Sequence, residues 1–129
     1  MNDCSNVKMI MALIDTHLKE KHIPDAEKIE LAKKDIPAIE LIESMSQFFG
    51  LLSDPTRLKI VIVLKEKELC VHEIAGAIGT SISAVSHQLR LLKTAKMVKN
   101  RRNGKMIYYS LDDEHIEELI SVANEHVNE

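Results

Sequence analysis

The chain has 129 residues, 45% of them apolar and 29% charged, a globular composition of one domain's length. No run approaches the roughly 18 apolar residues of a membrane span, two cysteines (Cys4 and Cys70) are too few for a disulfide-stapled scaffold, and the opening Met1-Asn2-Asp3-Cys4 lacks a signal peptide's pattern, so a cytoplasmic protein is expected. The formal net charge of −3 weighs against nucleic acid only if the charges are mixed, and they are not: Ile74 to Leu111 carries seven basic and no acidic residues, while residues 112–129 carry seven acidic residues and no Lys or Arg.

Residues 1–36 read as a helical N-terminal extension, with Met9, Ile10, Leu13, Ile14 and Leu18 at helical spacing before Pro24 interrupts. Residues 37–129 read as the main domain. In it Ala38, Ile39, Leu41, Ile42, Met45, Phe48, Phe49, Leu51 and Leu52 are dense enough for a core helix. Asp54 is an N-cap candidate with Pro55 in the first helical position, opening a helix that carries Leu58, Ile60, Val61, Ile62 and Leu64. A short helix over Val71–Ile78, then Gly79, then a helix from about Ser81 to Lys93 outline a helix-turn-helix. Ile82, Val85, Leu89 and Leu92 form one stripe that turns to the core. Ser83, Ser86, His87 and Arg90, with Lys93 at the helix end, are left to face a major groove.

Met97–Arg102 and Lys105–Leu111 flank Asn103-Gly104, a hairpin signal for a type I′ turn. Arg101, Arg102 and Lys105 give the hairpin a basic tip that would face phosphates. Tyr108 and Tyr109 read as strand residues; without an aromatic platform for single strands, duplex DNA is favoured over RNA. Asp113 to about Val127 is an amphipathic helix with Ile116, Leu119, Ile120 and Ala123 on its apolar face, a dimer surface for a small DNA reader. The expected fold is mainly α with a small β-hairpin wing: a winged helix-turn-helix, homodimeric through its N- and C-terminal helices.

Two groups of side chains suit metal. His115 and His126 are eleven residues apart, which returns them to nearly the same helix face but separates them by about 16 Å. Two such helices packed antiparallel about a two-fold axis bring Asp113 and His115 of one chain to His126 and Glu129 of the other, a set of two nitrogens and two oxygens suited to Zn(II) that also accepts Co(II) or Ni(II). The second group is Cys70, His72 and Glu73 at a helix start, with Cys4 or His17 as a further donor, suited to Cd(II) or another thiophilic ion. The first group is four-coordinate and closed, without the open position and pocket of a catalytic zinc, and no nucleophile elbow, phosphate loop or acid/base pair stands elsewhere, so neither an enzyme nor a small organic substrate is expected.

Leu51-Leu52-Ser53-Asp54-Pro55-Thr56-Arg57-Leu58, Glu68-Leu69-Cys70-Val71, Ala84-Val85-Ser86-His87-Gln88-Leu89-Arg90-Leu91-Leu92 and Tyr108-Tyr109-Ser110-Leu111, in this order, resemble the signatures of the ArsR/SmtB family of metal-sensing repressors over about residues 38–129. The resemblance implies a winged-helix homodimer that binds operator DNA without metal and releases it on metal binding. It also implies the inter-subunit ligand set Asp113, His115, His126 and Glu129, with a signal passing from His126 to a backbone carbonyl near Lys96. In the family's other site a second cysteine stands where this chain has His72, which departs from a three-thiolate site.

Overall fold

The computed structural model describes residues 23–129; the apolar positions from Met9 to Leu18, with Cys4 and His17, lie outside them. The chain divides into two units at Ile39/Glu40, three residues later than the expected boundary. In the first, α1 (Ala26–Lys34) starts beyond Pro24 because the Asp25 carboxylate accepts the backbone N–H groups of Glu27 and Lys28. The second holds α2 (Ile39–Leu52) from its second residue on, followed by α3 (Pro55–Val63), β1 (Leu69–Cys70), α4 (Val71–Ile78), α5 (Ile82–Thr94), β2 (Val98–Asn103), β3 (Met106–Leu111) and α6 (Glu114–Val127).

Local chemistry accounts for the boundaries. Asp54 Oδ2 accepts the N–H of Arg57 at 3.0 Å, capping α3, with Pro55 at its first position as expected. Gly79, at φ 73°, ends α4 in the left-handed region, where its N–H and that of Thr80 both donate to the Ala75 carbonyl. Ser81 Oγ then caps α5 through the N–H of Ala84. The three strands form one antiparallel sheet in the order β1-β3-β2. Leu69 pairs with Tyr109 and Cys70 with Tyr108, while β2 and β3 run from Val98↔Leu111 to Asn103↔Met106.

The core gathers α3, α4, α5, the sheet and the first half of α6: Ile60, Val61, Ile74, Val85, Leu89, Leu92 and Met97 are fully buried, and Leu64, Val98, Leu111, Ile116 and Ile120 nearly so. No polar or charged residue is buried among those described.

Four features differ from expectation. The two-residue strand β1 is new, because two residues carry no periodicity to read. The hairpin turn is one residue further on: Gly104 and Lys105 are its central residues, and only Gly104 has positive φ (66°), the φ pattern of a type II′ rather than a type I′ turn. Among the described residues, helix α2 is not a core helix. It has no buried residue; Ile39, Leu41, Ile42, Met45 and Phe49 are exposed, and only Phe48, Leu51 and Leu52 pack partly on the core. Ile82 lies on the apolar stripe by spacing yet is 44% exposed, because it is the first residue of α5.

Leu89 sits at the centre of the α5 stripe. Leu89→Ala is expected to lower the unfolding free energy by about 3 kcal/mol, read as a lower urea midpoint at fixed protein concentration with an unchanged slope.

Candidate nucleic-acid interface and metal-ligand pairs

Helix α5 owes its orientation to Val85, Leu89 and Leu92, all at 0% exposure, which hold one face against the core. The opposite face carries Ser83, Ser86, His87, Arg90 and Lys93, every one exposed. Their short hydroxyls, imidazole and cations form a hydrogen-bonding surface that can meet base edges and phosphates. Ile82 stands beside this face on the first turn of α5, where a recognition helix meets bases, and an apolar side chain there matches the methyl group of thymine. Its place at the very start of the helix, ahead of any neighbour that could cover it, is the signal that distinguishes it from the core stripe.

The wing brings Arg101, Arg102 and Lys105 to one hairpin, all exposed. Arg101 is engaged within the chain. Its Nε and Nη2 donate to Glu68 Oε2 and Oε1 at 2.8 and 2.9 Å, a two-pronged pair that reaches from β2 to the residue before β1, and its guanidinium lies 5.3 Å from the centre of the Tyr108 ring. Arg102 Nε donates to the Gly104 carbonyl at 3.1 Å, bracing the turn. The hydrogen bond from Arg101 holds the Glu68 carboxyl below the usual carboxylate range and outweighs partial desolvation, while the same bond raises the pKa of Arg101. Both partners are exposed, 53% and 40%, so water screens the pair and its main consequence is the direction in which the arginine's charge points.

Helix α6 presents the first metal-ligand group as two pairs. Asp113 caps the helix, its Oδ1 accepting the N–H groups of His115 at 3.0 Å and Ile116 at 3.3 Å. The cap brings Asp113 Oδ1 to 3.7 Å from Nδ1 of His115, whose side chain is 88% exposed. At the other end His126 and Glu129 are exposed, and the N–H of Glu129 donates to the His126 carbonyl at 3.4 Å. Among the described residues no three His, Cys, Asp or Glu side chains come together within the chain.

Of the second group, Cys70, His72 and Glu73 lie among the described residues and differ in exposure. Cys70 is 5% exposed within β1, whereas His72 and Glu73 point to solvent. The Glu73 carboxylate accepts the Cys70 N–H at 2.9 Å as a helix cap, and this bond, with one from the Cys70 thiol, lowers its pKa. Lys96, at the end of α5, has a left-handed backbone (φ 61°) that turns the chain into β2, with the N–H of Met97 donating to the Leu92 carbonyl at 2.9 Å.

The Glu68 clamp makes the wing testable. Glu68→Gln removes the charge that holds Arg101 and frees the guanidinium for a phosphate, so binding to duplex DNA is expected to strengthen and the slope of log K against log salt to steepen by about one per protomer. In the wild type the same release is expected as pH falls through the depressed Glu68 pKa. An unchanged slope in Glu68→Gln would mean that Arg101 stays off the DNA.

The model described as "Bacterial regulatory protein, arsR family" matches residues 54–100, the segment from the α3 cap to the middle of β2. A transcriptional repressor SmtB homolog of Synechocystis sp. is 39% identical over 80% of this chain and 78% of its own length. A cadmium resistance transcriptional regulatory protein CadC homolog of Staphylococcus aureus is 44% identical over 80% of this chain and 85% of its own. Among solved structures, apo-NmtR in solution superposes with a TM-score of 0.63 at 33% identity, covering 83% of this chain and 82% of its own. A homodimeric winged helix-turn-helix DNA-binding domain from Mycobacterium bovis does so with a TM-score of 0.65 at 27% identity, covering 70% and 83%. Together with the winged helix-turn-helix fold, these similarities identify the chain as a member of the arsR family of bacterial regulatory proteins, a transcriptional regulator and not an enzyme.

Proposed function

We propose that this regulator is a metal-responsive repressor that binds operator DNA as an apo homodimer and leaves it when Zn(II) binds between the two copies of α6. The observation that carries the reading is the division of the exposed Asp113/His115 and His126/Glu129 between opposite ends of α6, about 16 Å apart at the standard rise, which suits ligands shared between two antiparallel copies. The SmtB and CadC homologs among its relatives, named as a repressor and a cadmium resistance regulator, are consistent with it.

A dimer is supported by the apolar surface exposed on α2 and α6 among the described residues. Ile39, Leu41, Ile42, Met45 and Phe49 on α2, and Val122 and Val127 on α6, are exposed where a lone protein would expose polar groups. Pairing through these helices sets the spacing of the two α5 helices, which must match half-sites about 34 Å apart. Asp113 holds His115 in place through the helix cap, and the short Asn128–Glu129 end keeps Glu129 one turn from His126. A bound zinc ion supplies a fixed cross-link between the two helices. A cytoplasmic location accords with this reading; no helix among the described residues is long and apolar enough to cross a membrane.

A second reading keeps the DNA role but senses Cd(II) through Cys70, His72, Glu73 and Cys4. The cadmium resistance regulator among the relatives favours it, while the buried thiol and the capping duty of Glu73 weigh against it. His126→Ala separates the two. In a DNA-binding titration of purified apo protein across zinc, cadmium, cobalt and nickel, this variant is expected to bind DNA as the wild type does and to lose the zinc-driven release. Zinc release that survives in His126→Ala contradicts the α6 site, and a surviving cadmium response beside lost zinc release assigns cadmium to the second group.

A further inference from the structure

Arg57 makes three hydrogen bonds that join three elements. Its backbone N–H donates to the Asp54 cap of α3 at 3.0 Å, its Nε donates to the carbonyl of Leu51 in the last turn of α2 at 2.8 Å, and its Nη1 donates to Oε1 of Gln88 on α5 at 3.0 Å. The Leu51 carbonyl is among the last four of its helix, which have no partner within it. The guanidinium satisfies that carbonyl and reaches α5 with the same rigid fork, which a lysine's single ammonium cannot reproduce in two fixed directions. All three bonds are partly buried, so water competes with them less than at the surface.

Gln88 lies two residues from both Ser86 and Arg90, about 200° around the helix from each. It is half-buried while those two are exposed, so its amide cannot enter the groove that they face. It also directly precedes Leu89, the fully buried centre of the stripe. The bond therefore grips α5 from behind, on the side away from the base-reading face; its other end is Arg57 on α3, whose Nε holds the helix that carries the exposed apolar surface.

We propose that Arg57 is a positioning residue for DNA reading, acting through Gln88 to fix the pitch of α5 against the C-terminal end of α2. The inference rests on the reading that α5 enters the DNA, and it adds a route by which a displacement of α2 reaches α5 as a rigid movement. Two single variants and their double test it in the full chain. Arg57→Lys keeps the charge and loses the fork; Gln88→Met keeps the volume and loses the acceptor. The probes are a duplex selected from a random-sequence pool by the wild-type apo protein and an unselected duplex of equal length, with circular dichroism and melting as folding controls.

Each single variant is expected to bind the selected duplex about tenfold more weakly, the double variant no more weakly than either single, and all of them to bind the unselected duplex within about twofold of wild type. Losses that add to about a hundredfold in the double variant overturn the proposal, since each residue would then act alone. So does a parallel loss on both duplexes, and so does wild-type selectivity in Gln88→Met, which leaves the Leu51 bond intact and tests the link even if Arg57→Lys fails to fold. A wild type that selects no sequence overturns the DNA-reading role itself, and this proposal with it.

Discussion

The recognition helix is held by three side chains. Val85, Leu89 and Leu92 on one face of α5 are wholly inside the core, and a one-residue rotation of the helix would turn them toward water and carry Ser83, Ser86 and Arg90 inward. At roughly 1.5–3 kcal/mol for each buried aliphatic side chain, that rotation is far outside thermal reach. The outward face is consequently fixed with respect to its own domain. In the proposed dimer, regulation of DNA affinity acts on how the two domains are placed and, through the Arg57–Gln88 link, on the pitch of α5, not on which of its faces points outward.

The uncovered surfaces lie where such placement is decided. Helix α2 and the second half of α6 carry their apolar residues outward, and the exposed Asp113/His115 and His126/Glu129 pairs bracket the same α6. In the proposed dimer one helix serves as interface and ligand holder at once, so ligand binding and domain spacing share a single element. Charge follows the same division: the segment 74–111 that holds α5 and the wing is +7, and the segment 112–129 that holds α6 is −7. The small net charge of the whole chain is the cancellation of a surface suited to phosphate and one suited to cations.

Much of this was legible from residue order because the determinants are local. Asp54-Pro55, Gly79 and Ser81 mark helix ends through caps that depend on neighbours one to four residues away. The stripe in α5 follows from a period. What escaped depends on distance or on context. The pairing of Arg101 with Glu68 spans 33 residues, and that of Arg57 with Gln88 spans 31, so neither cation's partner could be read from spacing. Apolar density marked α2 as a helix but could not say whether its cover comes from its own chain. The turn moved one residue because glycine is needed only at the first central position of the observed geometry, so Asn103 pairs in the ladder instead. Of the ligand candidates, Asp113 and His115 lie near each other for a local reason: Asp113 caps the helix on whose first turn His115 sits. In the proposed dimer the joining of that pair to His126 and Glu129 is a matter between chains, which residue order within one chain does not carry.

The central claim is that zinc and DNA favour different placements of the same two domains, and linkage makes it reciprocal: whatever factor zinc takes from DNA affinity, DNA must take from zinc affinity. The most direct measurement is the zinc dissociation constant of the full-length dimer, determined alone and in the presence of saturating selected duplex at one ionic strength. The account predicts weaker zinc binding on DNA by the same factor as the zinc-induced loss of DNA affinity. Equal zinc affinities in the two states would contradict it.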